Sequence, residues 1–512
     1  IEYLGYALYK KNLDIIRPME NINIKSSAGS FSGICSNNIN TFYGIPYAQS
    51  CSGPSRWSRS KEIEGNFNHK QSIKGHSAYQ TSLNKSFMYD PSLPESSEDC
   101  LNLNIASPQL ASNLPVMIWI HGGAYLTGSA NGALYKMDSL VSKGVVLVTI
   151  NYRLGPLGFL KLDEVTNGLI PSTGNEGILD QRLAIKWVKE NIEAFGGNPE
   201  NITLFGESAG SWSCALQVGM GINGDFQKII CQSGGGDAAR SIDSANQWGE
   251  LFISKCHDNN IFLKDLVNTS PNKLIQIAKL MKHSELGDGS SWVMPEVGFA
   301  PVIDNVILKD DYIENFDKEK FGLISGINLD EYRLWSTFHP FYRNLTKENL
   351  KKRLSKIFKH SIEEIIEIYS DYSEDDNYGH LLSAVMTDLT FGSPVEDILS
   401  RNKDSYGYIF TPQSPLLNGE LGAFHASELP YVFGVQNTAT YKQWSPDYRD
   451  STSSMMQDAW TNFAKHGDPS IDNFAWKPFK NHKNYALIGS SINNVQSPFN
   501  KRYKLINYAK NF

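Results

Sequence analysis

The chain is poor in everything that would staple or anchor it. Its 512 residues hold six cysteines, Cys35, Cys51, Cys100, Cys214, Cys231 and Cys256, with no Cys-x-x-Cys pair among them. That scatter excludes a disulfide scaffold and gives no zinc-ligand spacing, so no metal is called for. No apolar run approaches the roughly 18–20 residues of a transmembrane segment. Positive charge is in deficit: the net charge of −7 leaves no basic footprint for nucleic acid. The C-terminal "KRYKLINYAKNF" is neither a GPI tail nor a prenylation box. The four sequons, at Asn84, Asn201, Asn268 and Asn344, are about what chance supplies and carry no argument for secretion. Internal repeats and low-complexity linkers are absent.

What is present is material for a large core, 41% hydrophobic and 12% aromatic, which excludes intrinsic disorder. "PVMIWIHGG" (115–123) and "GVVLVTINYR" (144–153) read as buried strands. Between 176 and 195, Ile178, Leu179, Leu183, Trp187, Val188 and Ile192 fall at helical spacing. That helix is expected to stop at Gly196-Gly197, with Asn198-Pro199 making the turn. "ITLF" (202–205) then reads as a strand, a helix follows from 209, and "KIICQSGGG" (228–236) reads as the next strand. This alternation predicts an α/β fold with a large, mostly parallel sheet covered by helices. Residues 262–285 and 346–400, helix-rich and polar, are expected to be insertions roofing the active site within a single domain spanning 1–512.

In "ITLFGESAGSW" (202–212) a serine stands between two glycines after a β-branched run. Glycines there weaken both strand and helix, a local cost that a nucleophile elbow explains. Gly206 and Gly210 allow close backbone approach, and Ser208 stands at the tip. The motif alone is weak, recurring by accident in roughly one of five chains this long. Acyl transfer also needs a base, a group that orients it, and N–H donors for the oxyanion. The glycine pair of "HGGAY" (121–125), after a buried strand, offers the amides of Gly123 and Ala124, with Ala209 as a third donor.

At these residues the chain resembles the type-B carboxylesterase/cholinesterase family of the α/β-hydrolase fold, in the motif style of bacterial-type para-nitrobenzyl esterases. The resemblance rests on "FYGIPYA" (42–48), "SEDCLNLNI" (97–105), "WIHGGAY" (119–125), "NYRLGPLGFL" (151–160), residues 174–210, "QSGG" (232–235), "GINLDEYRLW" (326–335), "GAFHASELPYVFG" (422–434) and "AWTNFAKHGDPS" (459–470). It implies Glu331 as the acid and His425 as the base. The resulting order, Ser208, Glu331, His425, is that of α/β-hydrolases. Asp330 is the rival acid, and His121 the rival base, its place before the glycines resembling a loop brace. Glu207 resembles the family's buried carboxylate beside the nucleophile, a supporting role. Ser233 matches a family serine near the acid, with a strand-end hydrogen bond as the plainer alternative. Arg56 and Glu98 match a structural ion pair.

The implied function is a serine carboxylic ester hydrolase working through an acyl-enzyme on small or medium esters, with no cofactor. Alternatives are a non-catalytic binding or adhesion member of the fold, and a lipase of the same family. The intact trio and the "HGGA" loop favour catalysis over adhesion. The absence of a cysteine upstream of Cys100, at "SAYQ" (77–80), removes the staple expected of a lipase lid. The missing staple favours cytoplasmic residence, with secretion after removal of a signal peptide before Ile1 as the alternative. Tyr89 stands where choline-binding members carry tryptophan, a poorer cation face. Trp212, Tyr125, Phe338 and Phe424 are candidate pocket-lining residues.

Overall fold

The computed structural model describes residues 19–510 apart from 71, 82–87, 89, 238, 282–297, 374–376 and 481; Asn84, Tyr89 and residues 282–285 lie outside the described residues. In chain order the strands are β1 (Glu20–Ser26), β2 (Gly29–Ser36), β3 (Ile39–Pro46), β4 (Phe67–His69), β5 (Asn102–Pro108), β6 (Leu114–Ile120), β7 (Val146–Ile150), β8 (Gly197–Glu207), β9 (Lys228–Gln232), β10 (Arg240–Ser241), β11 (Val302–Ile303), β12 (Gly322–Asn328), β13 (Ser405–Phe410), β14 (Asn484–Ile488) and β15 (Ile492–Gln496). One sheet runs β1-β2-β3-β5-β7-β6-β8-β9-β12-β13-β14-β15, with β4 paired to β2, while β10 and β11 form a separate ribbon. From β7 to β14 every neighbour is parallel.

The central strands read as continuous apolar runs because both of their faces are covered: β7, "VLVTI", is buried at every residue. Their side chains alternate between two cores. Val116, Ile118 and Ile120 join one, and Met117 and Trp119 the other. The chain leaves β6 for β7 on one side and returns to β8 on the other, which puts a topological switch between β6 and β8. Register brings the carboxyl ends to one edge: Ile120 pairs with Gly206, Glu207 with Gln232, and Gln232 with Gly326.

The expected helix is Glu176–Asn191, continued by a 3-10 turn to Phe195 and closed by Gly196 at φ 87°. The expected turn at Asn198-Pro199 takes the form of a local bend closed by Glu200 N–H donating to Asn198 Oδ1 at 2.8 Å, but it does not precede the strand. These residues lie within β8, in a stretch where the register with β6 shifts between Leu114 and Val116. An irregular stretch tolerates a proline that a regular ladder would reject. Helices Lys347–Leu354, Ile362–Ile368 and Gly379–Thr387 enclose a small core of their own with Tyr332 and with Ile506 of the terminal helix Asn500–Lys510. Helix Pro271–Ala278 buries Leu274 and Ile277 in the main core.

Candidate active site

Ser208 follows β8 with φ 55° and ψ −123° and stands at the N-cap of helix Ala209–Gly219. That conformation is strained for a residue with a Cβ, and such strain persists only where its surroundings enforce it. Its N–H donates to Gln232 O at 2.9 Å. The flanking glycines are forced by crowding. A Cβ on Gly210 would lie 2.0 Å from Ile120 O, and one on Gly206 would lie 2.4 Å from the Gly210 carbonyl carbon.

The loop after β6 is bent by three successive positive φ values, at Gly123, Ala124 and Tyr125. Leu126 and Thr127 donate their N–H groups to Gly123 O at 2.9 and 3.0 Å. His121 donates from Nδ1 to Gly122 O at 2.8 Å and stacks on Tyr152, whose hydroxyl donates to His121 O. Burial pushes the His121 imidazole down to about 4, so it stands neutral and braces the loop. Among the described residues, the N–H groups of Gly123, Ala124 and Ala209 donate to nothing within the chain. Ala209 opens its helix, where N–H groups have no intrahelical acceptor.

His425 is buried, and its Nδ1 donates to Glu331 Oε2 at 2.6 Å. The other Glu331 oxygen accepts from Asn328 N–H at 2.7 Å, so β12 fixes the carboxylate. Asp330 points elsewhere: it accepts from Ala423 N–H and pairs with Arg333. His425 Nε2 lies 3.0 Å from Glu207 Oε1, out of hydrogen-bonding line, and makes no hydrogen bond to Ser208. Burial would lower the imidazole pKa. The Glu207 and then the Glu331 carboxylates outweigh burial and hold it well above its ordinary value.

Sequence reading missed Glu428, three residues beyond His425. It is buried and pushed up to about 8 by desolvation and by the charges of Glu207 and Glu331. Gln232 and Asn328 donate to its two oxygens, and Trp460 Nε1 holds the Gln232 amide in orientation. The ring neighbours of His425 were missed as well. Trp335 and Phe391 lie 5.0 and 4.8 Å from the imidazole centroid, and Trp212 stacks on Phe391. Of the other candidate lining residues, Tyr125 and Phe424 are fully buried, Phe424 packing on Trp444, and Phe338 is exposed. Ser233 makes a strand-end hydrogen bond through its backbone, its N–H donating to Gly326 O at 2.9 Å, while its buried Oγ has no partner among the described residues.

Arg56 grips Glu98 with two nitrogens, as expected of a structural pair. All six cysteines are free and buried. Among the described residues no group of His, Cys, Asp or Glu is arranged to hold a metal ion, and no helix is long and apolar enough to cross a membrane.

The model of the carboxylesterase family matches residues 20–506. The para-nitrobenzyl esterase of Bacillus subtilis (strain 168) is 32% identical over 507 residues, covering 94% of this chain and 98% of that protein. The bile salt-activated lipase of Mus musculus is 34% identical over 457 residues, covering 80% of this chain and 74% of the lipase. Among solved structures, a Geobacillus stearothermophilus carboxylesterase superposes with TM-score 0.82 at 28% identity, covering 94% of this chain and 99% of its own. A PNB esterase gives TM-score 0.81 at 29% identity with the same coverage.

Proposed function

Because this chain belongs to the carboxylesterase family, we propose that Ser208, His425 and Glu331 form the triad of its serine ester hydrolase chemistry. The chain is an α/β-hydrolase carboxylesterase, and what remains is which residues do the work. The observation that supports this triad is the 2.6 Å hydrogen bond from buried His425 to Glu331, at the sheet edge that also carries the Ser208 elbow.

In the proposed cycle, His425 Nε2 swings from Glu207 to the Ser208 hydroxyl and takes its proton as Oγ attacks the ester carbonyl. Glu331 keeps Nδ1 protonated and stabilises the imidazolium. The amides of Gly123, Ala124 and Ala209 receive the oxyanion, each such donor being worth about 2.7–4 kcal/mol. His425 then returns the proton to the departing alcohol, and water hydrolyses the acyl-enzyme by the same route. Glu207 steers the imidazole between turns. Ser233 lends a buried hydroxyl at the end of β9.

The proton donor to the alcohol is flanked by the half-buried Trp335, which suits small or medium esters of a flat aromatic alcohol. The para-nitrobenzyl esterase named above points the same way. Segments 262–285 and 346–400 are proposed as the roof of one domain, and Phe391 of the second supports that placement. The test is hydrolysis of p-nitrophenyl esters from acetyl to palmitoyl, beside Ser208→Ala and His425→Ala. Turnover strongest on short chains and lost in both variants is expected. Dominance of palmitoyl would support the lipase reading, and turnover by Ser208→Ala would overturn the triad.

A further inference from the structure

Helix Gly379–Thr387 runs into helix Ser393–Arg401 through a π-turn, Asp388–Gly392. A π-turn inserts a residue into the helical ladder and re-aims its side chains, and such turns recur at functional sites. Here it splits one turn between two tasks. On one side Phe391, fully buried, packs on His425 at 4.8 Å and between Trp212 and Trp335, in planes within 10° and 9° of parallel.

On the other side the π-turn is gripped by the terminal helix Asn500–Lys510. Arg502 pairs with Asp388 at 2.8 Å, and Tyr369 donates its hydroxyl to the same carboxylate. The Arg502 guanidinium is held over the rings of Phe499, Tyr369 and Tyr372 at 4.3, 4.9 and 5.5 Å. Ser393 donates to Asn507 at 2.5 Å. Gly392 lies so close to Tyr503 that a Cβ there would meet its hydroxyl at 2.3 Å.

We propose that the C-terminal helix positions His425 through this π-turn: Arg502 clamps Asp388, and the clamp seats Phe391 against the imidazole. This rests on His425 being the base. A base that swings between Glu207 and Ser208 needs lateral support, and Phe391 and Trp335 supply it from one flank. Phe391 and Asp388 are positioning residues, touching neither substrate nor reacting atoms.

The groups facing His425 are Glu207 and Glu331. Those facing Asp388 are Arg502, Tyr369, Glu396, Tyr485 and Tyr503. A loosened Phe391 admits water to the imidazole, which screens the two carboxylates that hold it well above its ordinary value. The acid limb of kcat then moves to lower pH.

The experiment measures kcat, KM and the pH profile of kcat for Phe391→Leu, Asp388→Asn and their double variant. Leu350→Ala, in the same helical segment's core but away from the π-turn, is the control. A 1 Å misplacement of a reacting group costs about a hundredfold, and a loosened ring that keeps Glu331 is expected to lose roughly tenfold in kcat. KM should change little, the acid limb should move to lower pH in both single variants, and the double variant should fall short of the product of the two. Leu350→Ala should lower Tm without moving the limb. If Asp388→Asn and Phe391→Leu lower Tm yet leave kcat and the limb as in wild type, the clamp is only structural and the proposal fails. Phe391→Leu, close in volume, carries the test if Asp388→Asn does not fold. Activity surviving His425→Ala marks a failure of the triad reading instead.

Discussion

Glu207 Oε1 stands 3.0 Å from His425 Nε2, on the side of the ring through which a serine proton must pass. With Glu331 on Nδ1, the imidazole lies between two carboxylates, and its charged form is favoured despite burial. A histidine so placed is well prepared for the charge it acquires in the transition state. It is less ready to accept a proton at low pH. The position of the acid limb is therefore set largely by the residue next to the nucleophile.

Glu207→Gln removes the stronger of the two influences that raise His425. The acid limb of kcat/KM is expected to move to lower pH. A pH series on a p-nitrophenyl ester checks this, and a limb that stays fixed or rises contradicts it.

The two neighbouring acids should separate cleanly. Glu331→Gln, at the imidazole, is expected to lower kcat about ten-thousandfold, as loss of a triad carboxylate does elsewhere. Asp330→Asn weakens a loop contact to Ala423 and the pair with Arg333. It should lower Tm and leave kcat within a few fold. Equal losses of kcat in the two variants would contradict the assignment.

Glu428 gives a stability prediction. Its folded pKa, about 8, lies above the unfolded value, so the folded state binds its proton more tightly. The stability this contributes is complete below about 4.5, the unfolded carboxylate value, and is lost as pH rises through about 8. The Tm of wild type relative to Glu428→Gln should therefore fall steadily between pH 5 and pH 9, by thermal unfolding in matched buffers. A constant difference would show that Glu428 does not titrate in that window.

Gly210→Ala and Gly224→Ala test crowding against backbone conformation. The first would drive a Cβ to 2.0 Å from Ile120 O, whereas at Gly224 nothing lies within 4 Å, although φ is +80°. Gly224→Ala should cost only the left-handed penalty of about 1–2 kcal/mol, while Gly210→Ala should displace the elbow, abolish activity and lower Tm sharply. Comparable effects of the two would refute the crowding argument.

The elbow was legible because its glycines break local rules, and the collisions awaiting a Cβ at Gly206 and Gly210 are the reason. The strands were legible from their apolar runs, and Glu331 and His425 from resemblance. Glu428 and Trp335 lay three and four residues beyond recognised positions, yet a glutamate and a tryptophan at that spacing carry no signature of their own. Phe391 was beyond reach, since its aim depends on a π-turn that no spacing rule announces. The bend at Asn198-Pro199 was legible, but not its place inside β8, which depends on the irregular pairing of β8 with β6.

The alignment of strand ends on one edge has a consequence for how the enzyme comes into being. His425 meets Glu331 across 94 residues, and Gln232 meets Glu428 across 196. Contacts so distant along the chain close only after the intervening strands have docked, and loop closure over such spans is slow. A nascent or refolding chain therefore holds its serine elbow long before it holds a base to activate it. Return of esterase activity is a clock for the last stage of assembly, and partly folded chains stay chemically silent.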